Sequence, residues 1–455
     1  MPDKKLISLN TAEFSYAFLS YGIGSTLVLY LTEVLHLTDF EALSSLSIQS
    51  CLVYSLPIMV AFLSDRFMSR EMLAFSGLLF MALGFTFFAC TPKNYITFPL
   101  SFITVGYVLG RPTVPILMNQ LVPSEQNRRA ISILYAVSNV AYVLAPLVFT
   151  LSLGKQRQNL FLGLGLGAFF ISFVFFRIFI NRLSLGHLHH LSLGVGICLG
   201  LVFIVNWFLN APQRLKYLFF SAVLMALFYF WRLFSQATPE TFQKIIKFCA
   251  AFVIACLFFS IFSQQYFFMP LYIERYVDRS VFSFEIPTPW FNACNPFFVV
   301  TLSFFLPKFT KEMNRLDSIA PLSFAFTGIG FLFLMTGTWF SGIQALSIVI
   351  SYFFLAIAEL TLVPFVLSMI STWDTEKEKS TLMGLWYLSM AFAKIIASKL
   401  ALWIDISKDL QNSFSPANYS NLFFWMGMSF IGASFFARFI LKYLFTTFKG
   451  FHSIK

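Results

Sequence analysis

Apolar runs of roughly twenty residues, the length a helix needs to cross a bilayer, alternate with short polar connections along the 455-residue chain. They fall near 11–35, 41–63, 72–91, 96–121, 130–152, 159–180, 190–210, 214–234, 246–272, 288–309, 317–338, 344–371, 380–403 and 421–445. Lipid satisfies no backbone N–H or C=O, so such runs cross as helices. The pattern predicts an all-α membrane protein of about fourteen transmembrane helices. Six fill 1–182 and six fill 246–455, and two more occupy 183–245 between the bundles. The inserted pair is poor in intramembrane charge and reads as a hairpin packed on the outside.

Composition agrees with this reading. Only 11% of the residues are charged, against about 25% in soluble domains, and the 62 Phe suit a surface that faces lipid. With the N-terminus inside, twenty of the 31 Lys and Arg fall on the cytoplasmic side, eight outside and three within spans. That bias obeys the positive-inside rule. It supports the helix count and predicts cytoplasmic termini on a cell-membrane protein. The net charge of +11 is then a topology signal and calls for no nucleic acid. MPDKKLISLNTA enters the first apolar run without a small-residue cleavage site, which predicts an uncleaved helix rather than a signal peptide. The six Cys (51, 90, 198, 249, 256, 294) show no C-x-x-C spacing and read as packing residues. The group His187, His189 and His190 reads as a solvated loop rather than a metal site. No nucleophile–base spacing, metal cluster or phosphate loop points to an enzyme or a cofactor.

Five charged residues stand inside the apolar segments: Glu13, Arg111, Glu359, Lys394 and Lys399. Each costs about 2.5 kcal/mol or more at the bilayer centre, so each needs a partner or a water-filled cavity. Arg111 precedes Pro112 and Pro115, which bend the helix and free carbonyls. Its guanidinium can grip a carboxylate in a two-point fork, or be satisfied by those carbonyls. Glu359, five residues before Pro364, can neutralise an amino group or a structural cation. Glu13 lies a turn or two inside its span, as a proton-coupling acid or as an acid favouring the helix N-terminal dipole. Trp386, Met390 and Lys394 are spaced by four and share a helix face. Lys394 therefore faces a cavity if Trp386 does; the other reading has it snorkelling, as Lys399 near the outer end is expected to.

Several segments carry a resemblance. AFLSDRFMSRE (Ala61–Glu71) resembles the G-x-x-x-D-x-x-G-R-R signature of the major facilitator superfamily, with Asp65 and Arg70 kept and both glycines replaced. VYSLPIMVAFLSDRF (Val53–Phe67), GYVLGRPTV (Gly106–Val114), SILYAVSNVAYVLAP (Ser132–Pro146), WFNACNPFF (Trp290–Phe298), AELTLVP (Ala358–Pro364) and MGLWYLS (Met383–Ser389) look like the proton-dependent oligopeptide transporters. Their order and spacing match over nearly the whole chain, and bacterial members of that family also insert two helices between their bundles.

The resemblance implies two six-helix bundles related by a pseudo-two-fold along the membrane normal, with a substrate cavity near the midplane. It implies uptake of di- or tripeptides with protons by alternating access. Asp65 and Arg70 would belong to the cytoplasmic gate. Arg111 stands where the family has a carboxylate-binding Lys, and Glu359 would hold the amino group. Asn139, Asn295 and Trp386, with Tyr21 and Tyr54, would line the substrate site. The family's first-helix E-x-x-E-R-F-x-Y-Y-G reads here Glu13-Phe14-Ser15-Tyr16-Ala17-Phe18-Leu19-Ser20-Tyr21-Gly22, so the second Glu and the Arg are gone. The acid usual on the seventh helix aligns near Ser263 and is also absent. Glu13 is then the coupling acid by resemblance, Glu13 and Arg111 are free to pair with each other, and Lys394 can stand in for the lost Arg. The expected partners are a small peptide or similar zwitterion, protons and the bilayer, with the protein a monomer. A proton-independent carrier, a carrier of another zwitterion or anion, and a non-transporting receptor or scaffold stay open as alternatives.

Overall fold

The computed structural model describes residues 2–57, 60, 67–92, 95–180, 185–281, 283–303, 305, 316–373, 376–406 and 416–450. The chain separates into two units, Met1–Leu218 and Phe219–Lys455.

In the first unit, α1 (Pro2–Leu29) runs into a wider π turn over Tyr30–Val34. His36, with φ of 53°, takes the left-handed conformation that ends a helix. Thr38 then starts α2 (Asp39–Ser55) with a capping box to Glu41. Ser69 caps α3 (Arg70–Cys90). The next span is broken: α4 (Thr97–Gly110) and α5 (Thr113–Leu121) meet at Arg111–Pro112, where proline cannot donate the next helical bond. Helices α6 (Ser124–Phe149), α7 (Arg157–Phe179) and α8 (Leu185–Leu209) follow.

Glycine sets how closely these helices pack. A Cβ on Gly77 of α3 would stand 2.6 Å from the Gly106 carbonyl of α4, so the backbones touch where only glycine fits. Tyr16 of α1 is wholly buried in the same place. Its hydroxyl donates to the Ala74 carbonyl at 2.5 Å, and a side chain on Gly110 would run into its ring. The residue that replaces the family's second first-helix Glu is therefore a packing wedge. Above it Tyr30, Phe85, Phe88, Phe149 and Phe161 form a ring cluster, with Phe88 and Phe161 centroids 4.6 Å apart.

The boundary between the units falls in α9 (Leu215–Ser235), whose Phe230 packs on Phe248 and Phe252 of α10 (Pro239–Phe262). A 3₁₀ turn, Ser263–Gln265, separates α10 from α11 (Phe268–Tyr276). A two-stranded hairpin, β1 (Ser280–Val281) and β2 (Phe284–Glu285), leads to α12 (Thr288–Phe291) and α13 (Cys294–Ser303). Arg279 holds it, bonding Glu285 at 2.7 Å and Glu274 at 3.4 Å. Beside it the Ser280 N–H donates to Asp278 and keeps that carboxyl below its usual range. Then come α14 (Leu316–Trp339), α15 (Gln344–Ser371), α16 (Glu376–Ile406) and α17 (Pro416–Gly450). Helix α14 packs against α15 and α17, the latter through Gly328 and Gly427, while α10 packs on α16 and α13 on α15.

Among the described residues, eleven helices are long and apolar enough to cross a membrane. The other three expected spans, 41–63, 190–210 and 288–309, are mostly helical where described, the last interrupted at Asn292–Ala293, but their described apolar stretches are shorter. Eleven is thus the number supported, against the fourteen expected. Outer faces are apolar as a lipid contact requires: Phe435, Phe436 and Phe439 on α17 are all largely exposed. One expectation is corrected, because the histidine group lies in the first turns of α8 rather than in a loop. An unbroken leucine-rich stretch carries the helix back through it.

Replacing Gly110 with Ala is expected to lower stability by about 1–3 kcal/mol through overpacking against Tyr16. Gly163→Ala, where a Cβ meets nothing within 4 Å, should not destabilise. Thermal unfolding of the two purified variants in detergent checks the difference.

Candidate functional site

Each unit holds one cluster of intramembrane charge. In the first, the break at Pro112 places Arg111 at the end of α4, with its guanidinium turned toward α1 and α6. Its Nε donates to Glu13 Oε1 at 3.2 Å. Its Nη1 and Nη2 donate to the hydroxyls of Tyr107 and Tyr142. The cation also lies 5.4 Å and 5.5 Å from the centroids of those two rings. Arg111 is therefore satisfied by a carboxylate and two phenols, not by the carbonyls its prolines free.

Glu13 is closed in on the same side. Ser138 of α6 donates to Oε1 at 2.6 Å, while the buried Oε2 accepts no hydrogen bond. The carboxylate keeps 4% of its side-chain surface exposed, against 28% for Arg111. The guanidinium is thus the accessible half of the pair and the acid the enclosed half. Removing one partner of such a pair strands the other charge, at a cost of about 3–5 kcal/mol when fully buried.

Tyr21 joins this cluster, its ring 4.7 Å from that of Tyr142. Asn139 does not: its Nδ2 donates to the Tyr135 carbonyl of its own helix at 2.9 Å. Arg70 opens α3 behind the Ser69 cap. Asp65 lies outside the described residues. Tyr107, Tyr142 and Ser138 are the residues the sequence reading missed. The available signal was helical spacing, since Tyr107 stands four before Arg111 and Ser138 four before Tyr142.

In the second unit Asn295, near the start of α13, donates from Nδ2 to Glu359 Oε2 at 3.1 Å. Its own Oδ1 is buried and accepts no hydrogen bond. Lys394 of α16 is 8% exposed, and its ammonium lies 5.1 Å from the centroid of the Tyr266 ring, just past the 3₁₀ turn. Lys394 is therefore held inside and does not snorkel, whereas Lys399 is exposed. Trp386 shares the inward face of α16, but it is buried edge-on against Phe259 of α10, 5.8 Å between centroids, as a packing residue. Ser263, in the place of the family's seventh-helix acid, is buried in the turn with Gln264 and Gln265, and Gln264 donates to the Ala397 carbonyl of α16 at 3.0 Å.

Chemically, the first cluster is a guanidinium paired with an internal carboxylate. The second unit holds a carboxylate fixed by an amide and a buried ammonium facing an aromatic ring.

Comparison with known proteins places this geometry. No family model matches the chain. It is 25% identical over 436 residues to an uncharacterized transporter YclF of Bacillus subtilis, covering 88% of each chain. It is 22% identical over 433 residues to the dipeptide and tripeptide permease A of Proteus mirabilis, covering 90% of this chain and 88% of the permease. Among solved structures, a peptide transporter POT in complex with sulfate superposes with a TM-score of 0.81 at 21% identity, over 98% of this chain and 95% of that one. A POT family transporter in complex with 5-aminolevulinic acid superposes with a TM-score of 0.80 at 18% identity, over 96% of each chain. The resemblance read from the motifs holds over nearly the whole length, and the fold is that of these multi-pass membrane transporters.

The Glu13–Arg111 contact predicts coupled losses. Thermal stability of Glu13→Ala, Arg111→Ala and the double variant should depart from additivity by about 0.5–3 kcal/mol, with the second loss smaller once the first has been made. Strictly additive effects would contradict the pairing.

Proposed function

We propose that the chain is a secondary active transporter that takes up di- or tripeptides together with protons across the cell membrane. The Glu13–Arg111 pair carries this reading. Arg111 is the cation that takes the peptide carboxylate in the first unit, and Glu13 is the anion that must give way to it. A proton on Glu13 removes its charge, loosens its hold on Arg111 and frees the guanidinium for a carboxylate in a bidentate grip. Tyr107 and Tyr142 keep the guanidinium oriented during the exchange. In the second unit Glu359, steadied by Asn295, takes the amino group. Substrate binding and proton binding are thereby linked through one cation, as linkage requires of any coupled pair of ligands. The expected gate residues Asp65 and Arg70 and the cytoplasmic location of both termini belong to this reading, as does the inserted hairpin 183–245 as an accessory element.

The comparisons support a peptide. The matched permease is named for di- and tripeptides, and the cluster in each unit suits one end of a zwitterion. A second reading, a non-peptide amine–carboxylate solute, draws on the structural neighbour solved with 5-aminolevulinic acid. It needs the same two receptors and differs only in what lies between its charged ends.

Uptake of a labelled, hydrolysis-resistant dipeptide into proteoliposomes tests both. Accumulation above equilibrium under an inward proton gradient is expected in the wild type. Glu13→Gln should abolish accumulation while leaving peptide exchange at equal concentrations on the two sides. Gradient-independent equilibration by the wild type would remove the coupling, and no uptake by folded protein would favour the non-peptide solute.

A further inference from the structure

A proton on Glu13 must sit on one of two carboxylate oxygens, and their surroundings are opposite. Oε1 receives two donors, Ser138 Oγ of α6 at 2.6 Å and Arg111 Nε at 3.2 Å. A proton added there would meet donors and find no acceptor. Oε2 is buried and, among the described residues, accepts no hydrogen bond. One turn back on α1, Asn10 holds a second atom of that kind. Its Nδ2 donates to the Leu6 carbonyl at 2.9 Å, which fixes the amide orientation and leaves Oδ1 as the unused acceptor. That Oδ1 is buried too, with no donor on it among the described residues. Residues three apart share a helix face, and a helical side chain leans toward the N-terminus over the preceding turn. The Glu13 carboxyl therefore leans toward Asn10. Two buried acceptors one turn apart, neither holding a hydrogen, are satisfied together by one added proton.

We propose that the proton binds Glu13 at Oε2 and is shared with Asn10 Oδ1, and that Asn10 and Ser138 set its affinity in opposite directions. This rests on the reading of Glu13 as the coupling acid. While Glu13 is charged, Oε2 and Oδ1 repel as two acceptors, and Ser138 steadies the charge from the other side. Once protonated, Oε2 becomes a donor, and Oδ1 is the acceptor a buried hydroxyl requires. Oε1 is then a neutral carbonyl and a weaker acceptor. Ser138 has another acceptor at hand, the Leu134 carbonyl of its own helix at 3.1 Å. Its hydroxyl can let go of α1 without being stranded, at the moment Arg111 leaves for a substrate carboxylate. Asn10 thus favours the neutral acid and Ser138 the charged one; both act through Glu13 and are positioning residues. The ion facing these oxygens among the described residues is Arg111, which Tyr107 of α4 and Tyr142 of α6 bind in turn. Tyr16, one turn further along α1, gives its hydroxyl to Ala74, and Lys5 lies over the Phe179 ring of α7.

An infrared difference titration of the purified full-length chain tests this, following with pH the protonated-carboxyl band that Glu13→Gln removes. Asn10→Leu should move the midpoint of that band down by about one pH unit. It should also raise the wavenumber of the band, because the carboxyl hydroxyl loses its acceptor. Ser138→Ala should move the midpoint up by about one pH unit, because the charged form loses a donor. General loosening of the helices would shift both variants the same way, so the opposite signs are the signature. Where Asn10→Leu does not fold, Asn10→Ser, whose hydroxyl is too short to reach, replaces it with the same expected shifts. A midpoint and wavenumber unchanged by loss of the Asn10 amide, or midpoints that move together in the Asn10 and Ser138 variants, would overturn the proposal. Either result leaves Glu13 standing as the proton site. The absence of any pH-dependent band that Glu13→Gln removes would overturn this proposal and the coupling reading together.

Discussion

A guanidinium placed inside a bilayer must bring its counter-ion with it. Arg111 does so through Glu13, and most of the first unit's local structure serves that contact. The break at Pro112 turns the arginine out of its own helix. Tyr107 and Tyr142 fix the two terminal nitrogens, and Ser138 fixes the facing carboxylate. Close packing of α3 on α4 at Gly77 and Gly106, with Tyr16 wedged against Gly110, holds α1 at the depth where Glu13 can reach. Neither charge could remain alone at this depth for less than several kcal/mol, so their mutual neutralisation is a condition of the fold. The more exposed partner of the pair is Arg111, which is why the proposed exchange of carboxylates is placed there.

The second unit buries charge with other residues. Asn295 holds Glu359 of the proline-containing α15 in place, and the Tyr266 ring faces the Lys394 ammonium of α16. Where the resemblance implies an acid on the seventh helix, this chain has Ser263 in a buried 3₁₀ turn beside Gln264 and Gln265. The first helix departs from that pattern by one Glu and one Arg together, which leaves its charge balance unchanged, and the second unit departs from it by one acid.

Much of this was legible in the chain. The cost of a charge in lipid singles out Arg111, Glu13, Glu359 and Lys394 without any alignment, and the prolines after Arg111 announce the broken helix. The spacing that ties Lys394 to Trp386 did identify one face, although that face packs on Phe259 of α10 and on Tyr266 past the 3₁₀ turn. The tyrosines around Arg111 were hidden because 19% of the residues are aromatic, and in such a background a phenol that binds a cation looks like one that meets lipid. Tyr16 was legible only as a missing Glu, since nothing local reveals that its hydroxyl reaches Ala74, 58 residues away. Asn139, expected as a ligand from its identity, turns its amide nitrogen to its own helix. Contacts that depend on which helix lies opposite are set by packing, and periodicity cannot name the neighbour.

The central claim is that a substrate carboxylate replaces Glu13 on Arg111 and that Glu13 takes a proton as it leaves. Infrared difference spectroscopy of the purified protein on addition of a dipeptide reads that event directly. The account predicts the gain of a protonated-carboxyl band that is absent from the same difference spectrum of Glu13→Gln. A spectrum without such a band, or one that Glu13→Gln leaves unchanged, would contradict it.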